Sequence, residues 1–318
     1  MAITTKVLVT GGAGFIGSNL ADELIRQGAR VSIIDNFTTG FRENLDEIQG
    51  DFDFIEGNIN DDAAVAKAIE GSEIVFHQAA LPSVPRSVDN PLETNQVCVT
   101  GTLNLLIKAK DAGVRRFIYA ASSSAYGNQP TLPKVETMRP DPLSPYAVAK
   151  LTGEHYCRAF NSVYGLETLS LRYFNVFGPR QNPASMYSGV ISRFIDALMS
   201  GSQPVIYGDG KHSRDFTYIA NVVDANVKAA QATQGVGETI NVANGDRITL
   251  NALLDVLKNI TGKSDVVADY QPPRNGDVRD SQADNKRAIE WLGYTQLVGL
   301  EEGLKKTIEW WKTSRFAK

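Results

Sequence analysis

Tyr146 and Lys150, in the segment SPYAVAK, are the residues whose types and spacing point most directly to chemistry. Four positions apart on a helix, their side chains share one face. A phenol is a poor base at its ordinary pKa of about 10, but a neighbouring ammonium and a cationic cofactor ring both favour the phenolate. A Y-x-x-x-K pair is common in any helix, so its meaning depends on its company. Ser122-Ser123-Ser124 directly follows an apolar run at 116–121. If that run is a strand of an open α/β sheet, its carboxyl end lies where such sheets bind ligands. A serine triplet is equally a polar turn, and at least one of the three serves as one.

The second chemical signal is TGGAGFIG at 10–17, whose Gly11, Gly14 and Gly17 have the spacing GxxGxxG. Glycine there permits a tight strand-to-helix turn, close approach of the backbone to a pyrophosphate, and close packing of helix on strand. The unpaired N–H groups and positive dipole end of the following helix then face the phosphate charge. A glycine cluster alone is a weak sign; its place between a strand and a helix makes it a dinucleotide site. Asp35 stands 18 residues beyond Gly17 at the end of the next apolar run. A carboxylate there accepts both hydroxyls of an adenine ribose and repels a 2′-phosphate, which points to NAD. Capping of the turn at 37–40 is the competing role for Asp35, and Arg42 is the one nearby cation that could serve NADP instead.

These residues need a scaffold. Apolar runs at 6–10, 30–35, 52–56, 73–77, 116–121 and 168–172 read as strands. Amphipathic stretches read as helices from the glycine turn to about 27, at 61–70 with Asp61 or Asp62 as N-cap, at 91–112, and at 146–164. Strands apolar on both faces and separated by helices predict a doubly wound parallel α/β sheet of Rossmann type. After Gly178 the rhythm breaks into shorter elements punctuated by Pro179, Pro183, Pro204, Pro272 and Pro273. The expected division is a dinucleotide-binding domain at 1–178 and a smaller mixed α/β substrate domain at 179–318. Segments near 216–246, at 219–230 and 239–242, are expected to return to the first.

Composition removes several classes. The 318 residues are 42% hydrophobic, enough to fill a core, and a net charge of −4 argues against a general nucleic-acid binder. No apolar run reaches the length of a membrane span. Cys98 and Cys157 are too few for a disulfide framework, and His77, His155 and His212 are scattered without metal-ligand spacing. The polar lead into the first strand does not read as a signal peptide, so the expectation is a cytoplasmic protein without metal or membrane.

Taken together, TGGAGFIG, HQAA at 77–80, SSSAYG at 122–127, SPYAVAK, RYFNVFGPRQ at 172–181, SRDFTYI at 213–219 and RNGDVRDSQAD at 274–284 resemble the extended short-chain dehydrogenase/reductases, specifically the nucleotide-sugar 4-epimerases. The resemblance covers almost the whole chain. It implies Ser122 as the catalytic hydroxyl, Ser123 as its assistant, Tyr146 as the base and Lys150 as the residue orienting the cofactor ribose. It also implies cofactor contacts from Phe15, Ile16, Asn36, Asn58, Ile59, Ala79, Ala80 and Tyr173. Substrate contacts are implied for Ser83, Arg86, Asn175, Arg214, Arg274, Asp277 and Ser281. The two arginines Arg214 and Arg274 would clamp a diphosphate; alone, either reads as half of a surface ion pair, with Asp215 or Asp277.

Relatives that dehydrate or decarboxylate carry acids beside the active-site hydroxyl, where this chain has Ser123 and Ser124. Without a carboxyl there, the resemblance implies NAD-dependent epimerisation at C4 of a UDP-sugar. Ser281 stands at the position where a bulky tyrosine restricts the pocket, so the small side chain implies N-acetylated UDP-hexoses, with plain ones secondary. UDP-glucuronate is the runner-up because Arg86 could meet its carboxylate, and an ordinary surface serine is the plain alternative for Ser281. A reductase with exchangeable cofactor and a cofactor-sensing scaffold are the rival classes. The resemblance further implies a homodimer built on 91–112 and 146–164, with Val97, Leu103 and Leu106 facing either the partner or their own sheet.

Overall fold

The computed structural model describes residues 2–183, 189–273 and 278–317. Seven strands form its central sheet: β1 (Lys6–Thr10), β2 (Arg30–Asp35), β3 (Phe52–Glu56), β4 (Ile74–His77), β5 (Arg116–Ser122), β6 (Glu167–Tyr173) and β7 (Thr239–Val242). They lie in the order β7-β6-β5-β4-β1-β2-β3, every pair parallel. The chain thus winds outward from β1 in one direction through β3, then crosses back to β4 on β1's other side. Between the carboxyl ends of β1 and β4 a crevice must open, and Thr10 and His77 are register partners there.

Alternate residues of each strand feed two cores. Val7, Val9, Ile33, Phe76 and Ile118 face one way and pack with Leu20 and Leu24 of α1 (Phe15–Arg26). Leu8, Ile34, Val75, Phe117 and Tyr119 face the other way, against Val65, Leu105, Leu106, Cys157 and Phe160. Those residues come from α2 (Asp62–Ile69), α3 (Gly101–Asp111) and α4 (Pro145–Tyr164). Burial on both faces explains why the strands read as unbroken apolar runs; truncating such a side chain, as in Leu106→Ala, costs about 2–5 kcal/mol. Helix α5 (Ile219–Gln231) joins the first core through Val222 and Val223, and β7 extends the sheet beside β6.

The helix ends follow from their caps. Asp61 accepts from the Ala63 and Ala64 amides and starts α2. Ser144 accepts from the Ala147 amide, Pro145 takes the first turn, and left-handed Gly165 stops α4. The stretch expected as one helix at 91–112 instead contains a π-helical turn, Gln96–Thr100, between Pro91–Asn95 and α3. Beyond β6 the helices Val190–Ser200, Leu250–Thr261 and Leu300–Thr313 are as long as those of the first half, against the expectation of shorter elements. It is the added strands that are short: Val176–Phe177 pairs with Thr217–Tyr218, and Ser213–Arg214 with Ile248–Thr249. Among the described residues no helix is long and apolar enough to cross a membrane.

Candidate active site

The glycine turn sits on the crevice, and its glycines are required by contact. A Cβ on Gly17 would lie 2.2 Å from the Gly11 carbonyl oxygen, and one on Gly11, where φ is +69°, would lie 2.8 Å from the Ala79 backbone. Gly14 begins α1 with no side-chain cap, which leaves that helix end open to an anion. Phe15 and Ile16 follow in its first turn, half-buried against the core.

Asp35 is buried at the end of β2, with one carboxylate oxygen accepting from the Ala13 amide (3.0 Å) and the other from the Phe37 amide (2.8 Å). It therefore braces the glycine turn and also makes the turn contact considered for it. Burial raises its pKa, and the amides of Phe37, Ala13 and Asn36 act against that. Arg42 stacks over the Phe37 ring at 4.7 Å and pairs with Glu56 at 3.1 Å, so its charge is already engaged. Asn36 and Asn58 are exposed, each accepting from a backbone amide two residues on, while Ile59 is buried beneath Gly101. Ala79 and Ala80 leave β4 along the other wall of the crevice, half-buried.

Ser122 ends β5, level with Tyr173 on β6. Its hydroxyl accepts from the Ser124 amide (3.2 Å) and the Ser124 hydroxyl (2.8 Å). The serine that touches Ser122 is thus Ser124, while Ser123 opens the short 3-10 turn to Tyr126. Tyr146, half-buried in the first turn of α4, hydrogen-bonds Ser122. One turn on, the buried Lys150 ammonium donates to the Ala120 carbonyl (2.9 Å) and lies 5.0 Å over the Tyr119 ring. The expected lowering of the Tyr146 pKa is absent in the protein alone: burial pushes the phenol up and the Ser122 bond only partly opposes it. Burial likewise lowers the pKa of Lys150.

The Tyr173 hydroxyl is held between Gln78 (3.2 Å) and the Asn226 amide (2.8 Å) on α5, and burial pushes its pKa up to about 12. Across the rim, Asn175 donates to the Asp215 carbonyl (2.8 Å) and to the Ser281 hydroxyl (3.3 Å). Ser281 is therefore a half-buried neighbour of Asn175 rather than an ordinary surface serine. Asn175 and Arg214 line a cavity of about 220 Å³ with Val190, Arg193, Tyr207 and Phe216. Arg214 donates to the carbonyls of Ser213 (2.9 Å) and Arg279 (3.0 Å). Ser83 is consumed as an N-cap to the Arg86 amide, and Arg86 grips Glu93 through two bonds, 2.7 and 3.2 Å. Arg274 and Asp277 lie outside the described residues.

Three further residues have structural roles that the sequence does not assign to them. Glu154 and Arg172, both buried, form a bidentate pair (2.7 and 2.8 Å) that ties α4 to β6 directly behind the Tyr146–Lys150 turn. Asp215 is fully buried and accepts from the amides of Asn244 (2.9 Å), Gly245 (3.1 Å) and Ala283 (3.1 Å). Burial pushes its pKa up to about 7. One short-range signal exists: Glu154 is a charged residue on the inward face of α4, whereas Asp215, beside Arg214, reads as half of an ion pair.

A glycine-built crevice at the sheet's switch point, with Ser, Tyr and Lys on its rim, is matched by one family model, that of the NAD dependent epimerase/dehydratase family, over residues 7–243. The chain belongs to that family. Its cofactor is NAD, and the chain's own geometry fits it: an uncapped helix end, glycines with no room for a Cβ, and a ribose-ready carboxylate at Asp35. The chain is 39% identical over 311 residues to the UDP-glucose 4-epimerase of Mycolicibacterium smegmatis, covering 96% of this chain and 98% of that one. Among solved structures it resembles the UDP-glucose 4-epimerase of Thermotoga maritima with UDP-glucose (TM-score 0.92, 41% identity, 97% of this chain and 99% of that one). It equally resembles the UDP-N-acetylglucosamine 4-epimerase of Methanobrevibacter ruminantium in complex with UDP-N-acetylmuramic acid (TM-score 0.93, 39% identity, 98% and 99%). In this epimerase/dehydratase family member the sheet and both crevice walls fall inside the matched region, whereas Ser281 lies beyond it.

Proposed function

We propose that this enzyme inverts C4 of a UDP-hexose, interconverting UDP-N-acetylglucosamine and UDP-N-acetylgalactosamine, with UDP-glucose and UDP-galactose as secondary substrates. The reaction class is carried by the rim at 122–124, where hydroxyls stand and no acid is available to protonate a leaving hydroxyl or draw a second proton. The relatives act on different sugars, so the choice of sugar rests on Ser281, small and beside Asn175, with room for a 2-acetamido group.

When bound, NAD supplies a reversible acceptor and donor for the C4 hydride. Ser122, braced by Ser124, orients the C4 hydroxyl, and Tyr146 takes its proton and later returns it. Lys150 and the positive end of α4 favour the phenolate. Arg214 and Arg274 hold the diphosphate while the oxidised sugar turns to present its opposite face, and Asn175 receives it on the substrate side; Ser83 and Asp277 are further substrate contacts of the same proposal. Gly11, Gly14, Gly17, Asp35, Asn36, Asn58, Ile59, Ala79, Ala80 and Tyr173 line the cofactor. The Arg86–Glu93 pair weighs against UDP-glucuronate, because the guanidinium fork already has a carboxylate.

The division into a cofactor domain at 1–178 and a substrate domain at 179–318 belongs to the same proposal, as do a cytoplasmic setting and a homodimer. For the dimer face, Val88, Leu92 and Val148 are exposed along Val84–Asp89, Pro91–Asn95 and α4, whereas Val97, Leu103 and Leu106 pack into their own core.

The test is incubation of the purified protein with UDP-N-acetylglucosamine, without added NAD, followed by NMR of the anomeric protons. The proposal expects UDP-N-acetylgalactosamine, with one equilibrium reached from either side. Reaction of UDP-glucuronate alone would overturn the reading of Ser281, and no reaction of any UDP-sugar even with NAD would overturn the epimerase reading.

A further inference from the structure

The π-helical turn Gln96–Thr100 interrupts a helix that sequence periodicity makes continuous, and such turns concentrate at functional sites. It lies behind the strand-end segment 78–81. Two groups of the turn reach that segment. The Cys98 thiol, itself buried, accepts from the Leu81 amide at 3.4 Å. The Cys98 carbonyl accepts from the Thr102 hydroxyl at 2.8 Å, which begins a chain of buried hydrogen bonds. Thr102 Oγ1 lies 2.9 Å from His77 Nε2, His77 Nδ1 lies 2.8 Å from Thr10 Oγ1, and Thr10 Oγ1 accepts from the Ala79 amide at 3.2 Å.

The direction of this chain is fixed by proton count. Thr102 spends its one hydroxyl proton on Cys98, so Nε2 of His77 must donate to it. Nδ1 is then an acceptor and receives the Thr10 hydroxyl proton, which leaves a Thr10 lone pair for Ala79. Phe117 and Tyr119 wall the ring at 5.8 and 5.7 Å. Burial, with the Lys150 charge adding to it, lowers the His77 pKa to about 3, so the ring stays neutral and the relay stays intact through ordinary pH.

We infer that the π turn positions the cofactor wall: through Cys98 and the one-way relay Thr102–His77–Thr10 it holds the amides of Leu81 and Ala79, opposite Gly11, at the spacing that NAD requires. This rests on the reading of 78–81 as that wall. His77 and Thr102 touch no cofactor and are positioning residues.

The test measures NAD affinity by calorimetry on the purified chain after any retained NAD has been released and quantified, and compares two substitutions at the far end of the relay. Thr102→Val keeps the shape and removes the hydroxyl; Thr102→Ser keeps the hydroxyl. The expected result is a loss of NAD affinity of roughly tenfold or more for Thr102→Val, with Thr102→Ser near the unsubstituted protein. Equal affinity in all three, with only the unfolding temperature of Thr102→Val reduced, would overturn the inference and leave a merely structural contact. An unsubstituted protein that neither retains NAD through purification nor binds added NAD would instead overturn the cofactor reading beneath it. Should Thr102→Val not fold, nitrogen-15 NMR of the unsubstituted protein decides: a protonated Nε2 and a bare Nδ1 on His77 at pH 6 are required, and the opposite tautomer or a doubly protonated ring sinks the relay.

Discussion

The two walls of the site are built by different physics. The cofactor wall is made by backbone in contact with backbone: Gly11 against Ala79, Gly17 against the Gly11 carbonyl, on strands buried on both faces. The substrate wall is made by side chains reaching backbone across long sequence separations, with Asp215 gathering residues 244, 245 and 283 and Asn175 bridging to Asp215 and Ser281. Close packing leaves the first wall few residues to choose from, whereas the second can exchange its lining while keeping its hub. A family whose members act on different sugars with one cofactor needs that combination.

The largest expected effect tests whether the rim between the walls does the chemistry. Tyr146→Phe removes the proton acceptor and keeps the ring, so turnover should fall by about 10²–10⁴-fold with NAD and substrate still bound. Turnover followed by NMR, with binding by calorimetry, checks both halves; unchanged turnover would refute the assignment. Next in size is a pair of alanines, one on each wall. Gly17→Ala would set a Cβ 2.2 Å from a carbonyl oxygen and must open the turn, abolishing measurable NAD binding. Gly245→Ala, at φ +89°, meets only the Asn285 side chain at 3.3 Å and should cost about 1–2 kcal/mol of stability while NAD binding persists. If the two behaved alike, the contrast between the walls would be lost.

The same contrast explains what could be read in advance. The strand runs, the glycine turn and the Tyr146–Lys150 helix were legible because local pattern fixes them: apolar on both faces, caps at Ser144 and Gly165, and no room for a Cβ. The return of 239–242 to the sheet was legible for the same reason. The π turn at 96–100 was not, since QVCVT holds no proline or glycine to mark a break in the helix. Nor was the role of Asp215, which beside Arg214 suggests an ion pair and is decided by amides 29 to 68 residues away. The phenol of Tyr146 shows a third limit: sequence supplied the ammonium that should lower its pKa, but burial, which acts the other way, belongs to the fold.

A smaller effect should separate the walls again. Asp215→Ala strands three buried amides on the substrate side, so the KM for the sugar nucleotide should rise on the order of tenfold while NAD affinity holds. Parallel loss of NAD affinity in calorimetry would mean that the hub supports both walls.

The effect that is smallest at neutrality concerns pH and grows as acid is added. His77 titrates near 6.5 in the unfolded chain and at about 3 in the folded one, because burial excludes its charge. Between those values the unfolded state holds the extra proton, so its contribution to stability is complete above pH 6.5. It then falls by about 1.4 kcal/mol for each pH unit below that, until the folded ring itself protonates. Asp215 works in the opposite sense: its folded pKa is raised to about 7, so its contribution shrinks as pH rises from the ordinary carboxylate range toward 7. Total stability therefore hides both, and the difference between the unsubstituted protein and His77→Gln isolates the first. Denaturant unfolding at several pH values from 7 to 4 should show the two curves converging as pH falls, with the Gln substitution lacking the histidine's share of the slope. Parallel curves would mean that His77 is charged or solvated in the folded protein, and the buried relay between β1 and β4 would then have no neutral ring to carry it.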